Sequence, residues 1–196
     1  MPEFTQDYFT PRIPDWTRLL IDQRGWDPDQ KHVVVEIGAF EGRSSVWMHE
    51  TLLRHPESRL YCIDSWRQRD GRAFELFQAN IAELDGNDRI TVMRMASHAA
   101  LHNLRSQRVM ADLVYVDGSH FGCDVLSDLV QSFFITRTGG VMICDDYLWR
   151  GRKERPRALV DTPKPAIDAF TTCYARKLRI IEDVPLYQLA FEKLAD

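Results

Sequence analysis

The chain has 196 residues, is 44% hydrophobic and 28% charged, and carries a formal net charge of −4. That is enough chain for a single α/β domain with a sizeable core. The acidic balance argues against a general nucleic-acid binder, and no apolar run reaches the roughly 18 residues of a membrane span.

Residues 1–31 carry Pro11 and Pro14, then a helical pattern in Trp16, Leu19, Leu20 and Ile21. This N-terminal stretch is expected to cover an edge or end of a sheet, and its short exposed helix could pair two copies as a homodimer. It has no basic segment followed by an apolar one, so no signal peptide is expected. Strand one runs from about His32 to Ile37 and enters a glycine-containing turn. A helix over about 43–54 follows, with Val46, Trp47, Met48, Leu52 and Leu53 available for burial. Strand two is 59–63, and Phe74, Leu76, Phe77, Ile81 and Leu84 then repeat at helical spacing. After the turn cluster Asp85-Gly86-Asn87-Asp88 come a third strand over 90–95, a short helix over 99–104 and a fourth strand over 112–116. A helix over about 123–134 leads through Gly139-Gly140 into strand five. Beyond Asp146 the residues 147–165 are irregular and basic; a helix then starts at Pro165, where proline's missing N–H is tolerated. Two closing strands, 177–181 and 187–191, flank a turn around Asp183-Val184-Pro185. The pattern predicts a Rossmann-like, doubly wound, seven-stranded and mostly parallel sheet that ends in an antiparallel hairpin, within one domain over 1–196. Cys62, Cys123, Cys144 and Cys173 lack metal-like pairing and read as reduced thiols of a cytoplasmic protein.

Four apolar runs end in acids: Glu36, Asp64, Asp117 and Asp145-Asp146. In a parallel sheet such tips lie along the edge where open α/β sheets bind ligands. The turn Glu36-Ile37-Gly38-Ala39-Phe40-Glu41-Gly42-Arg43-Ser44-Ser45 allows close backbone approach at two glycines, and the helix after it offers free N–H groups to an anion. Ser44 and Ser45 suit either a helix cap or a carboxylate. Asp64 suits the two hydroxyls of a ribose or a helix N-cap. The spacing is not the three-glycine dinucleotide fingerprint.

These segments, with Ile63-Asp64-Ser65, Met95-Ala96-Ser97-His98 and Val116-Asp117-Gly118-Ser119-His120, resemble the ordered motifs of class I S-adenosylmethionine-dependent methyltransferases. The resemblance is strongest to the small O-methyltransferases of the catechol, caffeoyl-CoA and macrocin-type sugar groups, over about residues 33–147. It implies that Gly38, Phe40 and Gly42 surround the methionine part of S-adenosylmethionine, with Glu36 in the same cofactor set. Ser44 would bond its carboxylate, Asp64 its ribose, and Ser97 and His98 its adenine edge, with Trp66 a neighbour of the ring and Asp117 also in the cofactor set. Phe40 stands where relatives often have Tyr, and His98 where the catechol enzymes have an amide.

The resemblance also implies a metal on Asp117, Asp145 and Asp146. Carboxylates about 4 Å apart repel by about 4 kcal/mol at an effective dielectric near 20, so a cation, a proton or a basic neighbour must compensate. Oxygen-only donors suit magnesium or another hard divalent ion. His120 stands where relatives carry a catalytic Lys, so the resemblance assigns it, with Asp117, to catalysis; the alternative is a loop histidine that bonds Asp117 or caps the helix beginning near Cys123. Arg150, Arg152, Lys153, Arg155, Arg157 and Lys164 make the loop after Asp146 basic: it is either a plain solvated loop or one that closes over a substrate, where its charge would favour an anionic small molecule. No nucleic-acid or membrane partner is expected. The expected activity is metal-assisted O-methylation of a small-molecule hydroxyl. Alternatives are a metal-independent methyltransferase, a nicotinamide-dependent oxidoreductase and a catalytically silent cofactor-binding protein.

Overall fold

The computed structural model describes residues 1–67, 71–152, 155–182 and 184–196. It has the seven-stranded, mostly parallel sheet predicted, with antiparallel strands at its C-terminal end, plus a separate two-stranded ribbon. The chain divides into two compact units, Met1–Met95 and Ala96–Asp196.

The first unit opens with helix α1 (Ile13–Trp16), which continues as a wide π turn over Thr17–Gln23. Strand β1 (Val33–Ile37), helix α2 (Arg43–Leu52), strand β2 (Arg59–Asp64), helix α3 (Arg72–Ala82) and strand β3 (Ile90–Arg94) follow. The strands lie in the order β3-β2-β1, all parallel, with Glu36 opposite Cys62 and Asp64 opposite Arg94. Val34, Val35, Leu60 and Ile63 are fully buried, as strands covered on both faces require. Met48 and Leu52 of α2 and Phe77 of α3 are buried with them. The N-terminal segment is strapped to this unit. The Thr5 N–H and hydroxyl both donate to the Glu41 carboxylate, and Asn80 exchanges hydrogen bonds with the Glu3 backbone. Phe9, Trp16 and Trp47 pack ring against ring, at centroid separations of 5.1 to 6.0 Å.

The second unit contains helix α4 (Ser97–Ser106), strand β4 (Ala111–Val116), helix α5 (Gly122–Ile135), strand β5 (Thr136–Cys144), the ribbon β6 (Gly151–Arg152) and β7 (Arg155–Pro156), helix α6 (Pro163–Cys173), and strands β8 (Leu178–Ile180) and β9 (Leu189–Lys193). Here the order is β4-β5-β9-β8, with β4 and β5 parallel and the last pairings antiparallel. Of the expected closing turn, Asp183 lies outside the described residues.

Strand five starts earlier than Gly139-Gly140 suggested. Pairing jumps from Ala111↔Thr136 to Leu113↔Val141, so β5 carries a bulge. Gly139 takes φ +81° there, and a Cβ on Gly140 would stand 2.9 Å from the Arg137 carbonyl oxygen and 3.1 Å from that of Ala111. The glycine pair is therefore inside the strand because only glycine fits the close backbone approach. Helix α4 also starts earlier than expected, placing Ser97 and His98 in its first turn.

The side-chain core of this unit centres on Leu129, Phe133, Ile167, Phe170 and Phe191. Lys193 is 2% exposed and hydrogen bonds the Phe133 and Thr136 carbonyls at the end of α5 while pairing with Asp196. Its burial is compensated, because each ammonium proton has an acceptor. All four cysteines are unbridged, with Cys62 and Cys144 buried. Among the described residues no helix is long and apolar enough to cross a membrane.

Candidate active site

In the first unit the glycine turn is built around two carboxylates. The Gly38 N–H donates to the Ile63 carbonyl at 2.8 Å, tying the exit of β1 to β2. Gly38 and Gly42 have φ +96° and +85°. At Gly42 space is also tight, since a Cβ would lie 3.0 Å from the Phe77 ring. Between them Phe40 adopts φ +48°, a conformation that costs an aromatic residue about 1–3 kcal/mol.

Asp64 stabilises that strained turn. Its Oδ2 accepts the Phe40 N–H at 3.0 Å and its Oδ1 accepts the Trp66 N–H at 2.8 Å. Trp66 is itself at φ +44°, and its indole N–H donates to the Phe40 carbonyl at 2.6 Å. The indole is buried against Phe74 and Phe77, with ring centroids 4.8 Å away in both cases. Trp66 thus braces the turn while packing on two phenylalanines. Asp64 is only half-buried, and each of its oxygens keeps a lone pair beyond the backbone bond it accepts.

Glu36 is fully buried at the end of β1. It accepts hydrogen bonds from the Ser44 and Ser45 hydroxyls and a 3.7 Å contact from the Cys62 thiol. Burial pushes its pKa from 4.5 up to about 7, against the pull of those three donors and with a smaller push from Asp64. The folded chain therefore holds this proton more tightly than the unfolded chain does. The associated stability is fully present below pH 4.5 and is lost as pH rises towards about 7. By magnitude it amounts to about 3 kcal/mol. Glu36→Gln is expected to flatten the thermal-unfolding profile across that window; a mutant profile that still falls as steeply as the parent would show that Glu36 is not its source.

In the second unit, Asp117 follows β4 and Asp145-Asp146 follow β5. These acids were expected to meet if strands four and five are neighbours, and β4 and β5 do pair. Each of the three is also engaged by the protein. The Tyr115 hydroxyl, on a side chain 1% exposed, lies 3.0 Å from Asp117 Oδ2 and 2.5 Å from Asp145 Oδ2. The hydroxyl thus bridges the two carboxylates. Burial raises the Asp145 pKa, against hydrogen bonds from Tyr115 and from Gln188 Nε2 at 2.7 Å. The Tyr115 pKa is raised as well, first by burial and then by the charges of Asp117 and Asp145.

Asp146 turns the other way. At φ +61° it directs Oδ2 to His120 Nε2 at 2.7 Å, and the His120 ring lies against Trp149 at 4.3 Å. The sequence had offered Asp117 as one partner for His120; the structure gives it Asp146. Among the described residues no group of three His, Cys, Asp or Glu side chains stands in a metal-holding arrangement. The donor chemistry nonetheless suits a hard cation, being oxygen-only and carried on the tips of two paired strands.

Ser97 and His98 open α4, and the nearly buried Asp128 of α5 faces them. Burial raises the Asp128 pKa from 3.8 to about 6, while a hydrogen bond from Ser97 and the nearness of His98 pull it down. Tyr115, Gln188 and Asp128 escaped the reading of the sequence. Tyr115 had a signal, since residues two apart in a strand share a face and it stands two before Asp117. Gln188 and Asp128 had none, because their partners are 43 and 31 positions away.

Of the basic loop, Lys153 and Glu154 and the side chains of Arg152, Arg155 and Pro156 lie outside the described residues. Lys164 bonds Asp168 Oδ2 at 2.6 Å and the Tyr147 hydroxyl at 2.7 Å, and Tyr147 bonds Asp168 Oδ1 at 2.7 Å. This trio fixes the loop's start to α6.

Residues 35–147, more than half of the chain, match the family described as "Methyltransferase domain". No curated protein matches the sequence. Among solved structures, the O-methyltransferase TomG from Streptomyces achromogenes, in complex with SAM, aligns with a TM-score of 0.68 at 20% identity over 93% of this chain and 80% of that one. The O-methyltransferase from Bacillus cereus, in complex with SAH, gives 0.67 at 18% identity over 97% and 84%. MycE of the mycinamycin pathway, in complex with Mg, SAH and mycinamycin VI, gives 0.62 at 18% identity over 98% of this chain and 50% of that one. At such identities the likeness is one of fold. Family and fold agree with the motifs, and the chain belongs to the Methyltransferase domain family as a class I, S-adenosylmethionine-dependent methyltransferase.

Proposed function

We propose that this enzyme, acting as a single domain, methylates the oxygen of a small-molecule hydroxyl. The observation that supports the donor side best is the Asp64 clamp, a carboxylate that shapes the glycine turn and keeps acceptor capacity for two ribose hydroxyls. The turn fits the donor in other ways. The first N–H groups of α2 have no acceptor within the helix and suit the donor's carboxylate. Ser44 and Glu36 lie beneath them, Gly38, Phe40 and Gly42 form the wall, and Ser97, His98 and Asp117 are assigned to the donor from the motifs.

When bound, S-adenosylmethionine supplies an activated sulfonium methyl, so little further covalent help is needed. The protein's task is to orient the acceptor hydroxyl and take its proton. His120 is the base in this reading. With its Nε2 proton committed to Asp146, the Nδ1 lone pair is left for the acceptor's proton, and the Asp146 carboxylate stabilises the imidazolium that forms. Asp117, hydrogen bonded by Tyr115, completes the acidic rim beside it.

A divalent ion is the finer part of the proposal. Asp117, Asp145 and Asp146 would hold it, and it would lower the acceptor hydroxyl's pKa. Calorimetry is expected to show binding of S-adenosylhomocysteine and none of NAD. Turnover lost in EDTA is expected to return with magnesium. Full activity in EDTA would remove the ion from the reading, and indifference to S-adenosylhomocysteine at millimolar concentration would remove the donor.

A further inference from the structure

Beside the acid tip stands a guanidinium that the methyl-transfer chemistry does not use. Arg157 lies over the Phe121 ring at 4.2 Å and over the Trp149 ring at 5.4 Å. Trp149 in turn contacts His120, and the Trp149 N–H donates to the Asp146 carbonyl at 2.9 Å. A continuous line of contacts thus runs from Asp146 through His120 and Trp149 to Arg157.

We propose that Arg157 forms an anion subsite, and that the methyl acceptor is a hydroxylated organic acid, a carboxylate or phosphate ester whose oxyanion this guanidinium holds. The inference rests on the O-methyltransferase reading and names its substrate class.

Three observations support it. The first is charge. Arg54, Arg137 and Arg179 are paired with Asp29, Asp112 and Glu192, and Lys164 with Asp168. Arg157 has no ion-pair partner among the described residues, and it is exposed. The second is geometry. The guanidinium carbon lies over two aromatic rings, which offer it no hydrogen-bond acceptor of the carboxylate kind, and its N–H donors form the fork that matches a carboxylate or phosphate. The third is preorganisation. The Arg157 N–H donates to the Arg150 carbonyl at 3.0 Å, closing the β6-β7 ribbon, and Tyr147, Lys164 and Asp168 anchor the segment's ends. Gly122 lets α5 close on the same segment, since a Cβ there would stand 2.9 Å from the Val160 carbonyl oxygen. A side chain held on such a frame loses little freedom when it binds.

The arrangement also resolves a conflict of charge. An oxyanion placed at the carboxylate-rich tip would be repelled. Beyond the His120 and Trp149 rings it meets a cation instead, while the acceptor's hydroxyl reaches His120.

The test uses 3,4-dihydroxybenzoate and its neutral amide, 3,4-dihydroxybenzamide, each titrated into the full chain together with S-adenosylhomocysteine. The acid is expected to bind at least about ten-fold more tightly than the amide, as one charge-assisted hydrogen bond warrants. Arg157→Met keeps the aliphatic stem and is expected to erase that preference without changing amide affinity; Arg157→Lys should retain part of it. Equal affinities in the parent, a preference that survives in Arg157→Met, or binding of neither compound would overturn the subsite. S-adenosylhomocysteine binding, recorded in the same titrations, separates the outcomes: retained, it leaves the methyltransferase reading intact while the subsite fails; lost in the parent, it defeats that reading itself.

Discussion

Asp64→Ala is expected to weaken S-adenosylhomocysteine binding by at least about 100-fold while the chain remains folded. Two effects add. The ribose loses its acceptor, and a hydrogen bond to a charged group contributes about 1.5–3 kcal/mol, so two of them correspond to roughly 10² to 10⁴ in affinity. The turn also loses its brace, because Asp64 satisfies the N–H groups of Phe40 and Trp66, both held at positive φ. Asp64→Asn separates the effects. Its single carbonyl oxygen accepts in place of one carboxylate oxygen, but its amide cannot accept from the second N–H or a second hydroxyl. It should therefore bind more weakly than the parent and more tightly than the alanine variant. Calorimetry gives the affinities and circular dichroism the fold. A folded Asp64→Ala protein with affinity within about three-fold of the parent would take the ribose away from Asp64.

His120→Ala is expected to lower kcat by about 10²–10⁴-fold, the range of a positioned general base, with donor affinity unchanged. His120 is 42% exposed, bonded to Asp146 and packed on Trp149, so its loss should not unfold the chain. The informative readout is the pH profile. As pH approaches the acceptor's own pKa the hydroxyl ionises unaided, and the defect should shrink. A defect that stays constant with pH would mean that His120 positions Trp149 or Asp146 and does not take the proton. Asp146→Asn should fall between parent and His120→Ala, because the imidazole then keeps its base but loses the charge that stabilises its protonated form.

The strand tips show how far local pattern reaches. Runs such as Val33-Val34-Val35 and Leu113-Val114-Tyr115-Val116 declare buried strands through their own side chains, and the acids ending them declare an edge with chemistry. Element bounds slipped where the deciding group was distant. The start of β5 is an example: its bulge depends on Gly140 passing close to Ala111, which no local pattern records. The surroundings of the three tip acids are another. The spacing brought Asp117 and Asp145-Asp146 to paired strands, but it could not foresee that a phenol from β4 and an amide from the β9 approach would engage Asp145, or that Asp146 would take a left-handed backbone and turn to His120.

By itself, then, the sequence determined the alternation of strands and helices, the glycine turn with its acids, and the family to which they belong. These are encoded in short stretches where neighbouring residues set backbone preference and burial together. Only the tertiary structure decided which partner each acid keeps: Glu36 with two serines, Asp64 with two backbone N–H groups, Asp145 with Tyr115 and Gln188, Asp146 with His120. Hydrogen bonding in a desolvated site depends on distances of a few tenths of an ångström between residues far apart in the chain, and side-chain packing fixes those distances.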